Sequence, residues 1–168
     1  MSNPFFDTCA LIPRYCPGKH TYRVNKVFSG AESVFIAEIS MVEVPSALAA
    51  ICKDRGFRVA QFEKMHASFL DDVAAGQIKV CPMSRSDMVR ATHLIVLCRF
   101  VNKTSLKSSD ALVAVACREL ALSSRARLTF YTQDWKLYRS LYESKAFRAA
   151  LKLRFLGKGR GGIPPAAN

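Results

Sequence analysis

The sequence predicts an α/β fold: a central, mainly parallel sheet of about four to five strands, covered by helices on both faces. Two patterns carry that prediction. Short apolar runs alternate along the chain with longer segments whose apolar residues recur every three or four positions, the order of strand and helix that yields a parallel sheet. Residues 108–117 (Ser-Ser-Asp-Ala-Leu-Val-Ala-Val-Ala-Cys) are too long for an ordinary strand and apolar nearly all round, so they form a buried helix whose small alanines let it lie close to a sheet. With 168 residues, half of them hydrophobic and 23% charged, the chain is long enough for one domain with a full core. Residues 1–156 make up that domain, and 157–168 form a basic Gly- and Pro-rich tail expected to be disordered.

The elements follow in order. Residues 5–11 read as a first strand interrupted by Asp7. At the carboxyl end of a strand, where open α/β sheets bind ligands, Asp7 is a candidate site residue; a turn-initiating aspartate is the plainer reading. Residues 13–30 contain two prolines and two glycines, with Arg14, Lys19, Arg23 and Lys26 interleaved with Tyr15, Tyr22 and Phe28. This segment reads as a loop with at most a short helix. Its cations suit phosphates and its aromatics suit unpaired bases, which makes it a candidate RNA contact beside the plainer reading of a solvated loop.

Residues 33–37 form a second strand, followed by a helix that carries Glu43 near its start and admits Pro45 only in its first turn. Gly56 separates it from a helix in which Val59, Phe62, Met65 or His66, Phe69 and Val73 mark the buried stripe, with the pair Asp71 and Asp72 on the solvated face. Residues 78–81 form a third strand closed by Pro82. Ser84 to Asp87 resembles a capping box and opens a helix with Met88, Ala91, Ile95, Cys98 and Val101 at core spacing. A basic segment with Lys103 and Lys107 leads to the alanine-rich helix. Asp110 lies in that helix's first turn, either as an acid complementing the dipole or as part of a site.

Residues 123–127 read as a polar loop, 128–132 as a fourth strand, and 151–156 as a fifth with Lys152 and Arg154 pointing outward. Asp134 follows the fourth strand in the N-cap position of a helix.

The formal net charge is +12, from 25 Lys and Arg against 13 Asp and Glu, which implies a polyanionic partner. Six scattered cysteines without a Cys-x-x-Cys read as buried thiols rather than zinc ligands or disulfides, and His20, His66 and His93 are isolated from one another and from any nucleophile. The amino terminus lacks the pattern of a signal peptide and no apolar run approaches the length of a membrane span, which points to a cytoplasmic protein without a membrane contact.

In a parallel sheet Asp7, Glu43, Asp110 and Asp134 all reach one end. Carboxylates crowded there repel by about 4 kcal/mol per pair at ~4 Å and an effective dielectric near 20. Such a cluster asks for a cation, and oxygen donors alone select hard ions, Mg²⁺ or Mn²⁺, one or two of them, able to activate water against a phosphodiester.

Residues 6–11 (Phe-Asp-Thr-Cys-Ala-Leu), 40–48 around Glu43, 109–112 with the alanine-rich run behind them, and 131–134 (Tyr-Thr-Gln-Asp) resemble, in order and spacing, the acidic motifs of PIN-domain ribonucleases, especially the VapC-like toxins of type II toxin–antitoxin systems. The resemblance extends to about Phe155. It implies a three-layer, PIN-like α/β/α sandwich, metal-dependent cleavage of RNA, a homodimer and a cognate antitoxin. By the family pattern Asp7, Glu43 and Asp110 bind metal, Asp134 is the fourth acid and Thr132 a supporting hydroxyl. The alternatives are a catalytically inactive RNA-binding or partner-binding module, and a haloacid-dehalogenase-like phosphatase, against which stands Cys9 where that chemistry needs a second aspartate.

Overall fold

The computed structural model describes residues 3–124 and 127–157. The proposed basic tail therefore lies, but for Gly157, outside the described residues. Five strands, β1 (Asn3–Phe6), β2 (Val34–Ala37), β3 (Ile78–Cys81), β4 (Leu128–Thr132) and β5 (Lys152–Phe155), form one sheet in the order β3-β2-β1-β4-β5. Every neighbouring pair is parallel, with Phe5 opposite both Phe35 and Phe130. The strand predictions hold, except that the first ends at Phe6. Asp7 turns the chain, and the residues read as its continuation form the helix α1 (Thr8–Leu11).

Because side chains alternate across the sheet, Phe5 and Phe6 enter different cores. On the face of Phe6 lie α1, α2 (Thr21–Ser29), α3 (Ser40–Asp54) and α4 (Val59–Ala74), whose Val24, Leu48 and Phe69 are fully buried with Ile36. On the face of Phe5 lie α5 (Arg85–Phe100), α6 (Ser108–Ser124), α7 (Trp135–Glu143) and α8 (Lys145–Ala150). Ala111, Ala114 and Cys117 of α6 are fully buried there, as the alanine-rich run predicts. The result is a three-layer α/β/α sandwich. Among the described residues no helix is long and apolar enough to cross a membrane.

Several local expectations need correction. Residues 13–30 are not mainly loop: a 3-10 turn (Ile12–Arg14) is followed by the nine-residue α2, which forms because Val24 and Phe28, one turn apart, reach the Phe6 core. Pro45 sits in the sixth position of α3, past its first turn, and the helix continues through it to Asp54. Asp72 is not solvated: it accepts from Arg14 Nε at 3.1 Å and from Tyr15 OH at 2.8 Å, tying the 3-10 turn to α4. Val59 is 72% exposed and lies off the buried stripe. In α5 the capping box forms as expected, but Met88 and Val101 face outward, and Ala91, Leu94 and Cys98 make the buried face with Asp87. Ser123 and Ser124 belong to α6 rather than to the loop. The helix α8 had no signal, being too short for a periodic pattern to register.

The strand order reverses between β1 and β4. Chain 1-2-3 spreads to one side and 4-5 to the other, which leaves a crevice at their carboxyl ends where neighbouring connections part.

Candidate active site at the carboxyl edge of the sheet

Asp7 leaves β1 at this crevice. Its backbone N–H donates to Tyr131 of β4 at 2.9 Å, so the ladder itself fixes its place, and it stands at the N-cap of α1 without using its side chain as a cap. The carboxylate is freed for another role. Oδ2 accepts from Thr132 Oγ1 at 2.8 Å and from the Cys9 thiol at 2.7 Å, and the residue is 4% exposed. Burial pushes Asp7 above the usual carboxylate range; the bonds from Cys9 and Thr132 oppose the rise and the charge of Glu43 adds to it.

Thr132 is fully buried at the end of β4 and bridges two acids. While donating to Asp7 it accepts from the backbone N–H of Asp134 at 2.9 Å. Asp134 caps α7, its Oδ1 accepting from the N–H groups of Lys136 and Leu137 at 2.7 and 3.1 Å. The N-cap reading of Asp134 therefore holds, and its charge also reaches Asp110.

Asp110, in the first turn of α6, shows the crowding most clearly. Burial pushes its carboxyl up to about 6, aided by the negative charges of Asp7, Asp134 and, more weakly, Glu43, with Lys107 pulling the other way. Glu43, in the first turn of α3, accepts from Thr8 Oγ1 at 2.7 Å, and that hydroxyl also lies 3.2 Å from the buried Ser40 Oγ. The charges of Asp7, Asp134 and Glu43 thus all reach Asp110, each acid carried to this edge of the sheet by a strand end or a helix start.

Three neighbours had no role in the sequence reading. Thr8 holds Glu43, Ser40 backs Thr8, and Cys9 bonds Asp7 while accepting from the Gln133 N–H at 3.3 Å. Burial and the adjoining Asp7 push the Cys9 thiol well above its ordinary range, so it stays protonated as a donor. Thr8 carried only its position directly after Asp7 as a signal, and Ser40 its position one turn before Glu43.

The basic residues divide differently. Arg14 is paired with Asp72, its guanidinium 4.6 Å over the Phe28 ring, and Arg23 donates to the Leu156 carbonyl at 3.3 Å. Lys19 and Lys26 are exposed beside them, Lys103 takes a positive φ of 52° in the loop before α6, and Lys107 is the cation whose field reaches Asp110.

Among the described residues no three His, Cys, Asp or Glu side chains already form a cage for a metal ion. Asp7, Glu43 and Asp110 offer the carboxylate oxygens that hard divalent cations take; the charge of Glu43 adds to the rise at Asp7, and that of Asp7 to the rise at Asp110, against which Lys107 acts.

No protein-family model matches the sequence, and comparison with curated proteins gives no match. Solved structures do resemble it. The chain is similar, at 14% identity and a TM-score of 0.56, to one in the structure of VapBC2 from Rickettsia felis bound to a DNA fragment from their promoter, over 90% of this chain and 97% of that one. It is similar at 16% identity and a TM-score of 0.60 to one in FitAcB from Neisseria gonorrhoeae, over 91% and 97%. A third, from FitAB bound to an IR36 DNA fragment, gives 14% identity and 0.58 over 95% and 99%. The three-layer, PIN-like fold is thereby shown. The family assignment drawn from the motifs is corrected: with no matching family model and identities of 14–16%, the likeness carries the fold alone, and the chain is not placed among the PIN-domain ribonucleases of the VapC-like toxins.

Proposed function

We propose that the chain is a metal-dependent hydrolase of RNA phosphodiester bonds, a toxin–antitoxin-related protein that works with a partner protein and as an oligomer. The observation that carries the hydrolase reading is Asp110, raised to about 6 by burial and by the acids around it in a chain of net charge +12. A basic protein that keeps an acidic cleft reverses its own sign at one place. Structural acids normally find a cation or disperse, so uncompensated crowding points to a function. The fold shared with chains of VapBC2 and FitAB supports the partner and the toxin–antitoxin relation.

In this reading Asp7, Glu43 and Asp110 would hold one or two Mg²⁺ or Mn²⁺ ions, whose chemistry when bound would be to activate a water and to offset charge on the scissile phosphate. The protein's own residues prepare that act. Thr132 and Cys9 donate to the same oxygen of Asp7 and fix its carboxylate plane, while Thr8 does so for Glu43. Asp134, anchored by its cap, brings its charge to bear on Asp110. Lys107 limits the repulsion on Asp110, and the basic surface gathers the polyanion.

Purified protein should cleave single-stranded RNA in Mg²⁺ or Mn²⁺, stop in EDTA, and lose at least about a thousandfold of its rate in Asp110→Asn, the scale expected for removing a metal ligand's charge. Cleavage that persists in chelator, or in the variant, would overturn the proposal. Binding of RNA without any cleavage would favour the non-enzymatic module.

A further inference from the structure

We propose that the outer face of α5 is a docking site for an acidic amphipathic helix of another protein, a surface that does not depend on the hydrolase reading. The buried face of α5 is Asp87, Ala91, Leu94 and Cys98. Opposite it runs a second seam: Val89, His93, Val96 and Phe100, spaced four, three and four residues, which places them in one line along the helix. Val89, Val96 and Phe100 are 52%, 49% and 76% exposed. A solvent-facing helix side is ordinarily polar, and this one carries a regular apolar line.

The seam borders a cavity of about 210 Å³ between α5, α6 and α8, floored by Leu94, Leu97, Val115 and Phe147. Its rim is basic. Arg118 lies over the Phe147 ring at 5.9 Å and spends Nη1 on Glu119 at 2.7 Å, and its Nε is buried without a hydrogen-bond partner. The rest of the guanidinium is partly exposed, its side chain 30% accessible, and can take a further acceptor. Glu119 also takes Arg90 at 3.8 Å, and Arg90 reaches Asp87, so the acids of this face are already engaged.

What remains selects the occupant. The exposed ionisable residues of α5 are Arg85, Arg90, Arg99 and the seam's own His93, with no exposed acid among them. A second copy of this helix would set arginine against arginine across the seam, at a cost that apolar contact between two valines and a phenylalanine does not readily offset. A lipid surface needs a broad apolar face, whereas His93 interrupts this one and Thr92 and Arg99 border it. A helix with an apolar stripe flanked by Glu or Asp meets every condition: the stripe lies along Val89, Val96 and Phe100, one side chain fills the cavity, and a carboxylate pairs with the exposed part of the Arg118 guanidinium.

The test uses the full chain and two synthetic helical peptides with the same leucine seam, one flanked by glutamates and the other by lysines, followed by fluorescence anisotropy. The glutamate peptide should bind at least about tenfold more tightly than its twin, and Val96→Glu and Phe100→Ser should each weaken it by about tenfold or more. Arg118→Gln should weaken the glutamate peptide severalfold. Both seam positions are exposed, and circular dichroism identifies the folded variant that carries the test if one misfolds. Equal binding of the two peptides, or binding indifferent to Val96→Glu, overturns the proposal. So does sedimentation showing a wild-type dimer that Val96→Glu dissociates and that excludes the peptide, since the seam then belongs to a second copy. Recruitment to phosphatidylglycerol vesicles lost in Phe100→Ser would assign it to a membrane instead. The readout is independent of RNA cleavage, so failure here leaves the hydrolase reading intact, and the reverse.

Discussion

Two aspartates on opposite faces of the sheet show opposite fates. Asp72, near the end of α4, has the Arg14 guanidinium at 3.1 Å and the Tyr15 hydroxyl at 2.8 Å, and Arg14 in turn covers Phe28. Every feature of that cluster neutralises the acid and fastens a turn. Asp110, at the start of α6, faces three other acids and is answered by Lys107 alone, with its carboxyl at about 6. Of the adjoining acids conspicuous in the sequence, Asp71 is exposed and Asp72 is structural, whereas the charges of acids scattered over some 130 residues meet at Asp110. Adjacency in sequence is therefore a poor guide to a site, and an excess of acids over the cations that answer them is a better one.

Exchanging the charge at each place gives the largest contrast. Asp110→Asn should lose at least about a thousandfold in RNA cleavage while folding normally, and Asp72→Asn should keep cleavage within a few-fold. The stability effects run the other way. Breaking the Asp72 cluster leaves a guanidinium and a phenol without their acceptor, a loss of about 1–2 kcal/mol once their partial exposure is discounted. Urea melts and a cleavage assay on the two variants settle the comparison; a cleavage loss in Asp72→Asn equal to that in Asp110→Asn would erase it.

A gentler test uses pH. The folded carboxyl of Asp110 at about 6 lies above its ordinary 3.8, so between these values the folded chain holds a proton that the unfolded chain has lost. Its favourable share of stability is complete below about pH 4 and disappears as pH rises through 6. With Asp110 partly exposed, the change is about 1–2 kcal/mol. In EDTA at pH 7 Asp110→Asn should therefore melt higher than wild type, and the advantage should vanish near pH 4. Mg²⁺ should reverse the order, because it stabilises by mass action the form that binds it more tightly. Glu63→Gln, at an exposed position on α4, is the control. A wild type that melts above Asp110→Asn at pH 7 in EDTA would mean the acids are not strained together.

The sheet was legible because its strands are short apolar runs bounded by turn residues, and β3 and β4 begin and end where pattern alone places them. The cleft was legible only as four acids that a parallel sheet could gather at one edge. Their supports were not: Thr8, Cys9 and Ser40 act through hydrogen bonds to residues as many as 124 positions away, and local pattern carries no trace of such contacts. Pattern erred most where two faces compete. In α5 apolar residues occupy both sides, so Met88 and Val101 were assigned to the core while Leu94, fitting the same spacing, fills it. In residues 13–30 Pro and Gly punctuation hid a helix held by two buried anchors, Val24 and Phe28.

The smallest expected effect concerns the basic segment, and the structure redistributes its members. Arg14 and Arg23 are engaged with Asp72 and with the Leu156 carbonyl, so neutralising them disturbs the fold before it reports on RNA. Lys26 is different. It lies on α2 one turn from Tyr22, which is 77% exposed, and both line a cavity of about 740 Å³ beside the starts of β2 and β3. A lysine and an exposed aromatic at that spacing can take a phosphate and the base next to it. With Asp110→Asn to prevent cleavage, Lys26→Ala should lower the slope of log affinity against log salt by about 0.7, the value for one phosphate contact on a single strand, and weaken binding only a few-fold at physiological salt. Tyr22→Ala should weaken binding with the slope unchanged, because stacking releases no counterion. An unaltered slope in Lys26→Ala would leave α2 as a helix that covers the Phe6 core, with RNA held near the acids by Lys103 and Lys107 instead.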